Sequence, residues 1–324
     1  MKERPAMSFM RRIARDVCLL ALAGLTVVTI NLPLAPADSM LSLATHFVPQ
    51  YLLGAFVALV LSVVWRNRLA GVAAIGFVLI HGWLVFPYLP MPGQAHAAGS
   101  GAARVMVCNV LTGNSNKAAL LSEVVRHDPD VLLLQEVDHA WVEATGKLDA
   151  LYPHRMDVPR GDNFGISLLS KFPMRDAQIV ELGGADVPAI HAEIQLGETW
   201  VDFLGLHTLP PIRAIYRTGS LNQMTEVATY SAAAEGGFIL AGDLNNTMWS
   251  PAYRALRKAT GLRNARAGRG LLGTWPGDGV LRIPIDHVLV NDALAIDRCF
   301  AGSYFGSDHL PLIVDLTVRI SRDG

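Results

Sequence analysis

Three apolar stretches, none holding a Lys, Arg, Asp or Glu, fill most of the first ninety residues and constrain everything that follows. They are Val17–Leu34, Val48–Trp65 and Leu69–Leu89. A helix rises roughly 1.5 Å per residue, so about 20 residues cross a hydrocarbon core of about 30 Å. Pro33 and Pro36 close the first run. Tyr51, Trp65, Trp83 and Tyr88 lie at or near ends, where amphipathic rings favour the interface. The expectation is a cytoplasmic segment over 1–16 and a three-helix membrane anchor over 17–89.

The charges predict an orientation. Arg11, Arg12 and Arg15 precede the first run, and Arg66 and Arg68 sit between the second and third. The Ala35–Phe47 connection has no Lys or Arg. By the positive-inside rule the N-terminus and the Arg66–Arg68 turn are cytoplasmic, and everything after Leu89 faces outside. The expected location is the plasma (inner) membrane. A cleavable signal ending near Ala95-His96-Ala97 is the rival reading. It is disfavoured because three long spans precede that point. Pro90–Ala103, rich in Pro, Gly, Ala and Ser, reads as a linker, and 104–324 as one further domain.

That domain is acidic. Met1–Ala103 holds 7 Lys/Arg and 3 Asp/Glu of the chain's 27 and 28, which leaves 20 and 25 and a charge of −5 beyond it. A protein that grips many nucleic-acid phosphates carries a basic face, so duplex DNA is not the expected partner. The three cysteines, Cys18, Cys108 and Cys299, form no disulfide framework and no metal-ligand spacing. Buried thiols are expected, with a Cys108–Cys299 bridge left open.

Beyond the linker, apolar runs predict strands over 104–110, 131–135, 164–170, 189–195, 200–206, 237–241, 285–290 and 310–318. Helices are expected over 117–127, 212–234 and 250–260. Polar residues recur where the apolar runs stop. Asn109, Glu136, His207, Asp243, Asn245, Asp286, Asp308 and His309 all do so. In layered α/β folds such positions converge on one rim.

Phosphoester hydrolysis needs charge neutralisation and an activated water. Glu136, Asp308 and the Asn109 amide are hard oxygen ligands suited to Mg²⁺ or Mn²⁺. His309 suits a base, with Asp286 to fix its tautomer. Asp243 and Asn245, two apart, suit the water and a phosphoryl oxygen, and His207 suits a donor to phosphate. Arg266 and Arg269, in a Gly-rich segment before Trp275, are candidate phosphate or headgroup contacts, and Trp275 a stacking wall. Taken singly, Asp243 and Asn245 are more often turn or cap residues, Glu136 a surface residue, His207 structural or incidental, the arginines a solvated basic helix face and Trp275 a support for the site's wall. The ordered set carries the reading.

The ordered motifs are Val107-Cys108-Asn109-Val110, Leu134-Gln135-Glu136-Val137, Gly205-Leu206-His207-Thr208, Gly242-Asp243-Leu244-Asn245, Thr274-Trp275-Pro276, Ile285-Asp286-His287-Val288 and Gly306-Ser307-Asp308-His309-Leu310-Pro311. Together they resemble the endonuclease/exonuclease/phosphatase superfamily. The resemblance implies a four-layered α/β sandwich of the DNase I-like kind. It also implies metal at Asn109, Glu136 and Asp308, and phosphate contact by His207. Asp243 and Asn245 would position the nucleophile, and Asp286 and His309 would form an acid–base dyad. Cys108 departs from the residue often found before the Asn. The three spans and the His207-Thr208-Leu209-Pro210-Pro211 stretch resemble a narrower subgroup, the YafD-like and VanJ-type membrane proteins. The VanJ type is linked to teicoplanin resistance and to cleavage of lipid-linked pyrophosphate.

The expectation is thus an anchored, divalent-metal-dependent phosphoesterase acting on a membrane lipid outside the cytoplasm. An extracytoplasmic nuclease or nucleotide phosphodiesterase is the second reading, and a non-catalytic anchored module the third.

Overall fold

The structure, a computed structural model, describes residues 5–91 and 99–319. Most of the expected linker and the Ala95–Ala97 position lie outside the described residues. The chain forms two compact units, an N-terminal helical one and a C-terminal α/β one.

The helical unit contains α1 (Pro5–Leu34), α2 (Val48–Trp65) and α3 (Arg68–Val85), with a 3-10 segment, Met40–Phe47, leading into α2. α1 starts at Pro5, ahead of the apolar run, and carries Arg11, Arg12 and Arg15 as helical residues. The stretches Phe9–Leu34, Met40–Trp65 and Arg68–Tyr88 are long and apolar enough to cross a membrane, with mean hydropathy of 2.2, 2.1 and 2.2. Small residues let the helices approach: Ala55, Ala58, Ala70 and Ala74 are buried with Cys18 and Leu25. Large apolar side chains point away, as at Leu69, Val27 and Trp83. The α2–α3 turn is built by two residues. Arg66 adopts a left-handed conformation that ends α2, and the Asn67 side chain accepts the Ala70 N–H to start α3.

The α/β unit holds two six-stranded mixed sheets. The first contains β1 (Gly99–Asn109), β2 (Val131–Gln135), β3 (His154–Val158), β4 (Ile166–Ser170), β11 (Leu294–Ala301) and β12 (Leu312–Arg319). The second contains β5 (Met174–Glu181), β6 (Pro188–Leu196), β7 (Thr199–Gly205), β8 (Gly237–Asp243), β9 (Arg263–Asn264) and β10 (Asp286–Val290). Their orders are β11-β12-β1-β2-β4-β3 and β5-β6-β7-β8-β10-β9. The helices α4 (Lys117–His127), α5 (His139–Thr145), α6 (Ala214–Ala233) and α7 (Pro251–Thr260) complete a four-layered sandwich.

Alternation along β1 shows why the sheets stack. Val105 and Val107 face the second sheet, where they meet Ile190, Phe203, Ile239 and Val288. Met106 and Cys108 face the other way, onto Leu120 and Val124 of α4 and Trp141 of α5. A strand buried on both faces reads as an unbroken apolar run. The same alternation settles the cysteines. Cys299 belongs to the inter-sheet core and Cys108 to the helix-facing layer, so no bridge joins them, and both thiols are free.

One glycine is fixed by geometry. Gly242 has φ of 145°, and a Cβ there would lie 1.7 Å from the Leu206 carbonyl oxygen. Gly242→Ala is expected to destabilise the domain by on the order of 3 kcal/mol or more. Urea unfolding followed by Trp fluorescence would show it, and an unchanged midpoint would contradict the packing.

Candidate active site

Strand direction brings the polar residues together. β1 and β2 run parallel, as do β7 and β8. The ends of these four strands therefore present Asn109, Glu136, His207 and Asp243 at one rim. β10 runs antiparallel to β8, with Asp286 paired directly to Asp243. β12 runs antiparallel to β1, so Asp308 and His309, just before it, arrive at the same rim.

The side chains form a connected group across both sheets. His309 Nδ1 lies 2.9 Å from Asp286 Oδ2, which turns Nε2 toward Asp243 Oδ2 at 3.6 Å. His207 Nε2 is also 3.6 Å from that oxygen. Asn109 Nδ2 donates to Asp243 Oδ2 at 3.2 Å and to Glu136 Oε1 at 2.9 Å. Asp243 Oδ1 accepts the Asn245 N–H at 2.8 Å, and the Asn245 amide donates to the Thr208 carbonyl at 2.8 Å. Glu136 holds a φ of 60°, uncommon for a side chain with a Cβ, so the backbone is bent to aim its carboxylate inward.

Burial and charge divide the roles. Burial pushes the Asp243 carboxyl up to about 7 against the pull of the His309 charge. His309 is held at about 10: burial lowers it, but Asp286 and Asp243 together outweigh burial. Asp286 is also opposed by burial, yet the His309 charge and hydrogen bond keep it below the usual carboxylate range. Burial, then the His309 charge, bring His207 down to about 4, so it is a neutral imidazole at pH 7. Its Nδ1 has no hydrogen-bond partner among the described residues. His309 is therefore a charged donor at rest. Asp243 is the group poised near neutrality to accept a proton.

Two candidate ligands fit a divalent cation. Asp308 has a buried Oδ1 with no hydrogen-bond partner among the described residues, and its Oδ2 accepts from Trp275 Nε1 at 3.1 Å. Burial raises Glu136, and the Asp308 charge raises it further. Two neighbouring carboxylates with an orphaned oxygen between burial and like charge are what a hard cation resolves. Asp243, Asp286 and His309 also cluster tightly enough to hold an ion. Within this trio, His309 Nδ1 and Asp286 Oδ2 are committed to each other and His309 Nε2 faces Asp243, an arrangement suited to acid–base work.

Two expectations need correction, and a third residue is turned differently from its expected role. Asn109 points its amide nitrogen, not its oxygen, at the two carboxylates. Its Oδ1 accepts the Leu111 N–H at 3.1 Å, which turns the NH₂ toward the two carboxylates. In this arrangement Asn109 donates to both Glu136 and Asp243. Arg266 is fully buried, and its guanidinium donates to the Asp286 and Leu272 carbonyls. Arg269 donates to the Ala267 and Ile296 carbonyls. Both brace loops, Arg269 through its two terminal guanidinium nitrogens. Trp275 stays exposed at the rim, with its indole N–H committed to Asp308.

Sequence reasoning passed over Ser307. Its hydroxyl donates to the Asn109 carbonyl at 2.8 Å and accepts the His309 N–H at 3.1 Å, fastening the Asp308–His309 turn to β1. Its place in Gly306-Ser307-Asp308-His309 was the available signal. Gln135, whose amide reaches the Leu206 carbonyl at 3.2 Å, ties the sheets together from inside an apolar run and gave none.

Residues 106–309 match the family described as the Endonuclease/Exonuclease/phosphatase family, well over half of the chain. The chain belongs to this family. Endonuclease/exonuclease/phosphatase enzymes are metal-dependent phosphoester hydrolases. Solved structures share the fold. Truncated Caenorhabditis elegans TDP2 superposes with a TM-score of 0.54 at 19% identity, over 67% of this chain and 98% of that one. D. rerio TDP2 complexed with single strand DNA product gives 0.57 at 15% identity, over 67% and 99%. The human Nocturnin catalytic domain with bound sulfate gives 0.53 at 19%, over 68% and 95%. At such identities the likeness establishes the endonuclease/exonuclease/phosphatase fold alone. No curated protein matches the chain.

Proposed function

We propose that the chain is a membrane-anchored, divalent-metal-dependent phosphoesterase that hydrolyses a phosphoester or pyrophosphate bond of a membrane lipid on the extracytoplasmic face. The observation that carries the chemistry is the unbroken group Asp286–His309–Asp243–Asn109–Glu136 at one rim. Mg²⁺ or Mn²⁺, held by Glu136 and Asp308, would supply charge neutralisation at the phosphate. The chain's own residues do the rest. Asp243 Oδ2 takes a proton from water while the Asn245 N–H holds its other oxygen. His309, oriented by Asp286, keeps a proton on Nε2 for a phosphoryl oxygen. Neutral His207 faces the same oxygens.

The anchor and the charge favour the lipid. Three helices long enough to span a bilayer precede the domain in the same chain, which raises the effective concentration of surface substrates. The domain's charge of −5 works against a polyanionic duplex. The assignment to the YafD-like and VanJ-type subgroup belongs to this proposal, on the spans and the His207-Thr208-Leu209-Pro210-Pro211 stretch.

Two measurements test it. Purified protein with Mg²⁺ is offered undecaprenyl pyrophosphate, sphingomyelin, phosphatidylinositol and single-stranded DNA, and a lipid is expected to turn over fastest. Faster cleavage of DNA would move the reading to a nuclease. A reporter fused after Gly324 is expected to be active only outside the cytoplasm, and cytoplasmic activity would overturn the orientation.

A further inference from the structure

A cavity of about 610 Å³ opens beside the candidate site, between the Phe164 loop, the turn before β6 and the start of α6. Its size falls within the roughly 300–1,000 Å³ of cavities that bury small organic groups. Phe164, Val187, Leu209, Ile215 and Tyr216 contribute apolar wall. It adjoins the site through one ring contact. The Phe164 ring lies 5.4 Å from the His207 ring, centroid to centroid. One side chain pins both: the Gln223 amide oxygen accepts the Leu209 N–H at 2.9 Å, and its nitrogen donates to the His207 carbonyl at 3.5 Å.

The charged groups at the wall lie at one end, where Arg160 is held by two carboxylates. Arg160 donates to both oxygens of Asp162 and pairs with Asp186 at 3.6 Å, so its charge is neutralised in place. The Thr218 hydroxyl turns back to the Ala214 carbonyl. Asn222 and the Tyr216 hydroxyl are polar groups at the wall, while Phe164, Val187, Leu209 and Ile215 present carbon. The apolar character also continues outward, because Ile215 at the lip is 75% exposed and Ile212 is 62% exposed. An apolar track leading from solvent to the phosphate-facing His207 fits a linear hydrocarbon better than a base or a sugar, which would need free donors and acceptors.

We propose that this cavity binds the hydrocarbon chain adjoining the phosphate of a lipid substrate. The proposal rests on the phosphoesterase reading of the neighbouring site and names its substrate class. A phosphate held beside His207 leaves its chain to run past Phe164 into the cavity. Each methylene buried there is worth roughly a fourfold gain in affinity.

The test uses the full chain in lipid nanodiscs with Mg²⁺, and alkyl phosphonates below their micelle-forming concentration, measured calorimetrically against empty nanodiscs. Octylphosphonate is expected to bind at least about 10-fold more tightly than butylphosphonate. Ala185→Trp, which fills the cavity from its wall, and Ile215→Asp, which charges its lip, are expected to erase that difference. Both variants are expected to hydrolyse bis(p-nitrophenyl) phosphate at the wild-type rate. Affinity independent of chain length, or chain-length dependence that survives both substitutions, overturns the cavity assignment. Loss of nitrophenyl ester hydrolysis in the wild type itself overturns the phosphoesterase reading instead, so the two failures are distinguishable.

Discussion

His309→Ala is expected to lower kcat by about 10³-fold or more and to destabilise the domain as well. The kinetic loss follows from removing a positioned proton donor, an effect of roughly 10²–10⁴-fold, at a site where charge develops on phosphate. The stability loss has a separate cause. His309 is the cation facing two buried carboxylates, Asp286 at 2.9 Å and Asp243 at 3.6 Å. Deleting it leaves both without their counter-charge, and breaking a buried pair costs about 3–5 kcal/mol. Asp286→Asn separates the two effects. It keeps the shape but no longer fixes the proton on His309 Nδ1, so kcat is expected to fall by roughly 10³-fold with a smaller loss of stability. Steady-state rates and urea midpoints on the same preparations check this. Wild-type kcat in either variant would remove His309 from the chemistry.

Glu136→Gln is expected to abolish metal-dependent hydrolysis and to raise stability. The sign comes from its surroundings. Burial, and then the Asp308 charge, raise the Glu136 carboxyl above its ordinary value despite the Asn109 hydrogen bond. A carboxyl whose folded pKa is raised costs stability once pH exceeds its unfolded value, so at pH 7 the native state carries that cost in the absence of metal. The neutral amide relieves it. A cation that binds only the folded state stabilises it by mass action, so wild-type protein is expected to melt at higher temperature as Mg²⁺ or Mn²⁺ rises, and the variant is not. Thermal melts with and without EDTA read both signs. Equal metal-induced shifts in wild type and variant would exclude Glu136 as a ligand. The pair of substitutions therefore moves activity in one direction and stability in opposite directions.

The interior of the fold was legible in the sequence and its margins were not. The expected strands at 131–135, 189–195, 200–206, 237–241 and 285–290 are all observed to within a few residues. Each lies inside a sheet, packed on both faces or nearly so. Each strand that went unread stands at an edge: β3 and β11 in the first sheet, β5 and β9 in the second. Edge strands are paired on one side only and tolerate polar residues. Met174–Glu181 is mostly exposed with half-buried positions between, and His154–Val158 is half-buried throughout, so neither leaves an apolar run.

The site was legible for a different reason. Polar residues that stop an apolar strand stand out, and parallel strands carry such ends to one rim. Orientation of individual groups was not legible. Nothing in the order of residues tells that the Asn109 amide turns its nitrogen inward, because a backbone N–H at Leu111 decides it. Arg266 and Arg269 read as surface cations because their neighbours are Gly and Ala. The β-strand carbonyls that capture them come from positions 286 and 296, distant in sequence.

The most direct measurement is the rate of p-nitrophenol release from bis(p-nitrophenyl) phosphate by the purified full-length protein with Mg²⁺, with EDTA, and with Mg²⁺ restored. Hydrolysis that appears with metal, stops on chelation, returns on re-addition and is absent from His309→Ala is the result that follows from the rim geometry. Hydrolysis that persists unchanged in EDTA, or in His309→Ala, would contradict it.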